Sequence, residues 1–100
     1  MKKIIKNGQV FDGISDKLIN VDILINGKFI EEVGKIEINE KDVEIIDAKG
    51  YIVSPGFIDI HSHLREPGYE YKETILTGTQ AAAKGGFTTI CSMPTTIPAL

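Results

Sequence analysis

Apolar positions recur at two different periods along the chain, and the period changes near residue 54. Before that point, short alternating runs are separated by Asn7-Gly8, Asp12-Gly13 and Asn26-Gly27, pairs that tolerate the positive φ of a tight turn. The clearest hairpin has Val21, Ile23 and Ile25 alternating with Asp22 and Leu24. Asn26-Gly27 then turns the chain, and Phe29, Ile30 and Val33 return to Gly34, which predicts a ribbon with one buried face. Glu37 to Asp42 reads as a charged connector. Glu44-Ile45-Ile46-Asp47 begins another short strand, and Ala48-Lys49-Gly50 turns into Tyr51-Ile52-Val53.

At Ser54-Pro55-Gly56 the pattern becomes that of a βαβ unit. Phe57-Ile58-Asp59-Ile60-His61 is a compact run suited to a parallel strand, and Glu66-Pro67-Gly68 marks a loop. Thr74 is placed to cap a helix in which Ile75, Leu76, Thr79, Ala82 and Ala83 recur at helical spacing, and Gly85-Gly86 ends it. Phe87 to Met93 is a second parallel strand, stopped by Pro94. The fold class is therefore α/β, with residues 1–54 as a strand-rich segment and 55–100 as one βαβ unit. Such a unit leaves strand edges unpaired, so the sequence reads as the opening of something larger, unstable and prone to aggregation by itself.

Composition adds exclusions. A 42% hydrophobic and 25% charged chain of 100 residues is globular in type, and its net charge of −3 supplies no basic field for nucleic acid or an anionic membrane surface. The start, Met1 to Lys6, lacks the apolar core of a signal peptide, and no run approaches a membrane span, so a cytoplasmic location is expected. The single cysteine, Cys91, has apolar neighbours and reads as a small buried hydrophobe.

The chemistry concentrates at His61-Ser62-His63. Residues two apart on a strand share a side and can place two imidazoles on one metal ion, at the strand end where parallel sheets carry their ligands. Simple alternation puts Ile58 and Ile60 under the helix, and Phe57, Asp59, His61 and His63 toward a barrel interior. A catalytic zinc site wants about three protein ligands, and this chain holds no third histidine. Asp59 is the nearby carboxylate, either a ligand or a structural acid bonded to backbone. Arg65 offers a planar fork to a substrate carboxylate, or else a surface salt bridge to Glu66 or Glu70. Tyr69, Tyr71, Lys72 and Glu73 form an aromatic, charged loop, a substrate flap or a packed connection. Thr95 and Thr96 put two hydroxyls at the same sheet end, to touch a ligand or to cap a following helix.

The run PGFIDIHSHLREPGYEYKETILTGTQAAAKGGFTTICSMP, residues 55–94, closely resembles the first βαβ unit of dihydroorotases, in the amidohydrolase superfamily. The resemblance implies that 1–54 contributes strands to a small N-terminal β-sandwich and that 55–100 opens a (β/α)8 barrel of the metal-dependent hydrolase type. It implies zinc, one or two ions, with His61 and His63 on the first. Arg65 and Thr95 would lie against the carboxylate of dihydroorotate or N-carbamoyl-L-aspartate. The implied reaction is the reversible cyclisation of N-carbamoyl-L-aspartate to dihydroorotate in de novo pyrimidine synthesis. The family's carboxylated lysine, its two further histidines and its aspartate base lie outside these residues, so no catalytic residue is assigned within the chain, and the 100 residues alone are expected to be inactive. The family usually reads Met-Pro-Asn-Thr where this chain has Met93-Pro94-Thr95-Thr96. Thr95 offers one hydroxyl donor in place of an amide's two N–H groups, which predicts weaker substrate binding by about 1–2 kcal/mol.

Two competing readings stand beside this one. An allantoinase or hydantoinase shares the histidine pair, whereas Arg65 and the Glu-Pro-Gly-Tyr run favour dihydroorotase. A non-catalytic homologue would keep the fold as a scaffold for aspartate transcarbamoylase. The expected partners are accordingly a small-molecule substrate, with a homodimer or aspartate transcarbamoylase as the protein associations, and neither nucleic acid nor membrane.

Overall fold

The computed structural model describes residues 1–39 and 41–100, so Glu40 of the charged connector lies outside the described residues. The chain divides into two compact units, Met1–Pro55 and Gly56–Leu100.

The first unit is built from β1 (Lys2–Lys6), β2 (Gln9–Val10), β3 (Ile19–Asn20), β4 (Asp22–Asn26), β5 (Phe29–Gly34), β6 (Val43–Asp47) and β7 (Ile52–Val53). One sheet has the order β5-β4-β1-β6 and a second the order β3-β2-β7. Each mixes antiparallel pairs with one parallel pair, β1 with β6 and β2 with β7. The expected hairpin forms between β4 and β5, with its turn one residue later than the sequence implies. Asn26 stays in the ladder opposite Phe29, so the loop is Gly27-Lys28, with Gly27 at φ +60. Only the first central residue needs positive φ in such a turn, and glycine supplies it without steric cost.

Both faces of β4 carry apolar packing, not the one expected. Leu24 joins buried Ile4 and Ile36, with Ile38 and Val43 packed against them. Ile23, also buried, lies with Ile5, Ile25, Val10 and Val53 along an apolar cleft of about 350 Å³ that the two sheets share. A strand covered on both sides reads as a near-continuous apolar run, and Ile23-Leu24-Ile25 is one. Asp22 ties the strand ends together, since Oδ1 accepts from Asn7 N and Oδ2 from Ile36 N, with Lys6 Nζ 3.6 Å away.

The second unit contains β8 (Phe57–Ser62), α1 (Ile75–Lys84) and β9 (Phe87–Ser92), with β8 and β9 parallel. Thr74 caps α1 as expected: its hydroxyl accepts from Thr77 N at 3.1 Å, and the Thr77 hydroxyl accepts from Thr74 N at 3.0 Å. Gly86 at φ +87 lets the chain leave the helix for β9. The helix packs on β9. Phe87 and Ile90 are half-buried there, but Cys91 is exposed, contrary to the expectation of burial. Apolar sequence neighbours do not cover a residue unless an element lies over it.

Alternation along β8 also fails. The pairing with β9 shifts between Phe57 and Ile58 and again between Asp59 and Ser62, and each shift upsets the two-residue phase. Ile58 and Ile60 are 65% and 75% exposed instead of packed under α1. Asp59 lines a cavity of about 290 Å³ together with His63 and with Gly78, Ala81 and Ala82 of the helix.

Candidate metal centre

His61 is the next-to-last residue of β8 and His63 follows directly after the strand, so both are carried by a strand end that β9 holds in place. Ser62 is fixed twice: its carbonyl accepts from Met93 N at 2.7 Å, and its hydroxyl donates to the Cys91 carbonyl at 3.1 Å. These bonds fix the backbone between the two histidines while leaving both side chains exposed.

The imidazole ring centres are 5.2 Å apart with planes at 71°. Zinc sits about 2.0–2.1 Å from an imidazole nitrogen, hence about 3.2 Å from the ring centre, and a tetrahedral angle at the metal then separates two ring centres by about 5.2 Å. The spacing of the pair is compatible with one ion. His63 Nδ1 is 2.8 Å from Thr95 Oγ1, which leaves Nε2 of that ring as the nitrogen for a metal. Among the described residues, no group of three His, Cys, Asp or Glu is placed to hold a metal ion. Asp59 Oδ1 accepts from the backbone N of His61 at 3.0 Å, the bond expected of a structural acid.

Arg65 adopts φ +66, a left-handed conformation uncommon for a non-glycine residue. Its carbonyl accepts from Tyr69 N at 2.9 Å. Among the described residues its guanidinium makes no ion pair and no hydrogen bond, and both candidate carboxylates bond backbone instead. Glu66 Oε2 accepts from Ile75 N at 2.7 Å, and Glu70 Oε1 accepts from Gly68 N at 3.0 Å. Backbone N–H donors, those of Glu70 itself and of Gly68, hold the Glu70 carboxyl below its ordinary range. The structure therefore unites His61, His63 and Thr95 and leaves the Arg65 fork free.

Thr96 is 6% exposed and donates to the Pro98 carbonyl, so it is a buried structural hydroxyl. Lys72 lies over both Tyr69 and Tyr71, 5.4 and 5.8 Å from the ring centres. The role of Glu66 was not legible in the sequence. Reading it as a salt-bridge partner missed its bond to the first N–H of α1, since nothing local announces a contact nine residues ahead.

A family profile described as dihydro-orotase-like matches residues 50–100. The chain belongs to that family. The dihydro-orotase-like chain is 58% identical over 96 residues to a dihydroorotase of Staphylococcus aureus strain Mu50, an alignment covering 96% of this chain and 22% of that protein. A dihydroorotase of Staphylococcus epidermidis is 54% identical over 98 residues, with the same coverage. Among solved structures, dihydropyrimidinase from Brevibacillus agri superposes with a TM-score of 0.80 at 40% identity, over 94% of this chain and 20% of that one. The chain thus spans about a fifth of the length of these relatives. Among the described residues no helix is long and apolar enough to cross a membrane.

Proposed function

We propose that this chain is the N-terminal portion of a zinc-dependent dihydroorotase, a cytoplasmic enzyme interconverting N-carbamoyl-L-aspartate and dihydroorotate. In this reading residues 1–54 belong to a small β-sandwich and 55–100 open a (β/α)8 barrel. The observation that carries it is the histidine pair, spaced for one tetrahedral ion at a parallel strand end, with an unpartnered arginine two residues on. The 65% and 75% exposures of Ile58 and Ile60 support a further layer packed over that face of β8 in the whole protein.

His61 and His63 would hold the ion. When bound, zinc supplies a Lewis acid that polarises the amide carbonyl and makes water more acidic. Arg65, fixed at the rim by the Tyr69 bond, binds and orients the substrate carboxylate. Thr95 can donate its hydroxyl proton to the same carboxylate. The bonds from Ser62 to Met93 and Cys91 keep the two imidazoles in register without any movement of the strand. Further ligands and the group that moves the proton would come from beyond these residues. A homodimer and an association with aspartate transcarbamoylase are the protein partners proposed.

The likeness to dihydropyrimidinase and to a D-hydantoinase, 41% identical at a TM-score of 0.80, favours one second reading, a hydantoinase-type amidohydrolase. Assay of the zinc-loaded whole protein on dihydroorotate, hydantoin and allantoin separates the two. Highest kcat/KM on dihydroorotate is expected; preference for either other ring replaces the first reading with the second. A folded, metal-free protein inactive on all three overturns both.

A further inference from the structure

We infer that Thr95 is a positioning residue for His63, accepting its Nδ1 proton and so fixing which ring nitrogen faces the metal. The inference rests on the proposed zinc role of that histidine. A neutral imidazole has one protonated nitrogen and one with a free lone pair, and only the latter can ligate. With Thr95 Oγ1 at 2.8 Å from Nδ1, a ligand bond at Nε2 requires Nδ1 to carry the proton and the hydroxyl to accept it. Among the described residues no hydrogen bond to the His61 ring is found, so Thr95 is the polar anchor of the pair.

Its place is set on both sides. Before it, Met93 N donates to the Ser62 carbonyl at 2.7 Å; after it, Ile97 N donates to the Pro67 carbonyl at 3.0 Å, and Thr96 is buried. The segment carrying Thr95 is therefore pinned to the backbone on either side of His63, and the hydroxyl arrives without a conformational search. Having accepted from Nδ1, it still owns its own proton, which it can donate to a substrate carboxylate. Positioning and substrate contact are compatible in one hydroxyl.

The test uses the whole protein and the variants Thr95→Val, which keeps the shape without the hydroxyl, and Thr95→Ser, which keeps the hydroxyl. Zinc affinity is read by competition with a chromophoric chelator, and ligand geometry by the visible spectrum of the cobalt-substituted protein. Thr95→Val should weaken zinc binding about 10- to 100-fold and shift the cobalt bands, with Thr95→Ser restoring both to near wild type. Wild-type zinc affinity in Thr95→Val, with an unshifted spectrum, overturns the inference and leaves the proposed function standing. A wild-type protein that takes up no zinc overturns the zinc reading, and the inference with it.

Discussion

Replacing Arg65 by glycine and by alanine separates what the backbone demands from what the guanidinium does. At φ +66 an L-residue carries a cost of about 1–2 kcal/mol that glycine escapes. Glycine's extra freedom in the unfolded chain offsets about 0.5–1 kcal/mol of that gain. The balance makes Arg65→Gly more stable than Arg65→Ala by about 0.5–1 kcal/mol. Because the guanidinium has no ion pair or hydrogen bond among the described residues, Arg65→Ala should stay within about 0.5 kcal/mol of wild type. Substrate binding moves the other way. Losing a bidentate bond to a charged group removes about 1.5–3 kcal/mol, a rise in KM of about 10- to 150-fold in both variants. Urea unfolding of the whole protein reads the first quantity, and steady-state kinetics on dihydroorotate reads the second. If Arg65→Gly is the less stable variant, the left-handed backbone stores no strain. If KM is unmoved in both, the guanidinium does not hold the carboxylate.

Glu66→Ala deletes the acceptor of the Ile75 N–H and a negative charge at the start of α1, a loss of about 1.5–3 kcal/mol. Hydrogen exchange at the Ile75 amide should accelerate by about tenfold or more, and unchanged protection would show that the contact is idle. Asp47 lies below its ordinary range because the Asn7 side-chain amide, and then the Lys49 N–H, donate to its carboxylate. A carboxyl depressed on folding contributes stability at neutral pH that is lost as pH falls through its folded value, so Asp47→Asn should flatten the acid limb of the stability profile below about pH 4. An identical acid limb would contradict this. Thr95→Asn keeps an oxygen for His63 Nδ1 and adds N–H donors, so KM for dihydroorotate should fall about 5- to 30-fold with zinc affinity retained; no change in KM refutes the idea that one donor is missing.

What the sequence disclosed depended on the range of each interaction. Thr74 as the cap of α1 was readable because the cap bonds only three residues ahead. The His-x-His pair was readable for the same reason, as two neighbours on one strand end. Thr95 beside His63 was not, since that contact spans 32 residues and depends on the β8–β9 register, which shifts twice. Asp59 keeps company with one of the histidines: strict alternation puts it on the side of His63, and both line the helix-side cavity, while its carboxylate bonds the His61 backbone. The parallel pairings of β1 with β6 and β2 with β7 were equally beyond local patterning, because nothing in either strand's own alternation names a partner some forty residues away.

Two imidazoles are half of a tetrahedral set, so in the proposed reading the affinity and the reactivity of the ion depend on donors from beyond this unit. What these residues decide is orientation. Three backbone ties, Ser62 to Met93, Pro67 to Ile97 and Arg65 to Tyr69, hold the histidine pair, Thr95 and Arg65 on a common frame. Each tie uses main-chain groups that any side chain but proline would leave in place, whereas the groups proposed to face ligand are the ones whose chemistry is specific. A frame of that kind lets the residue at position 95 change from an amide to a hydroxyl without disturbing the metal pair. In the proposed reading, the substitution that departs from the family pattern bears on how substrate is gripped, while an oxygen at position 95 still serves His63.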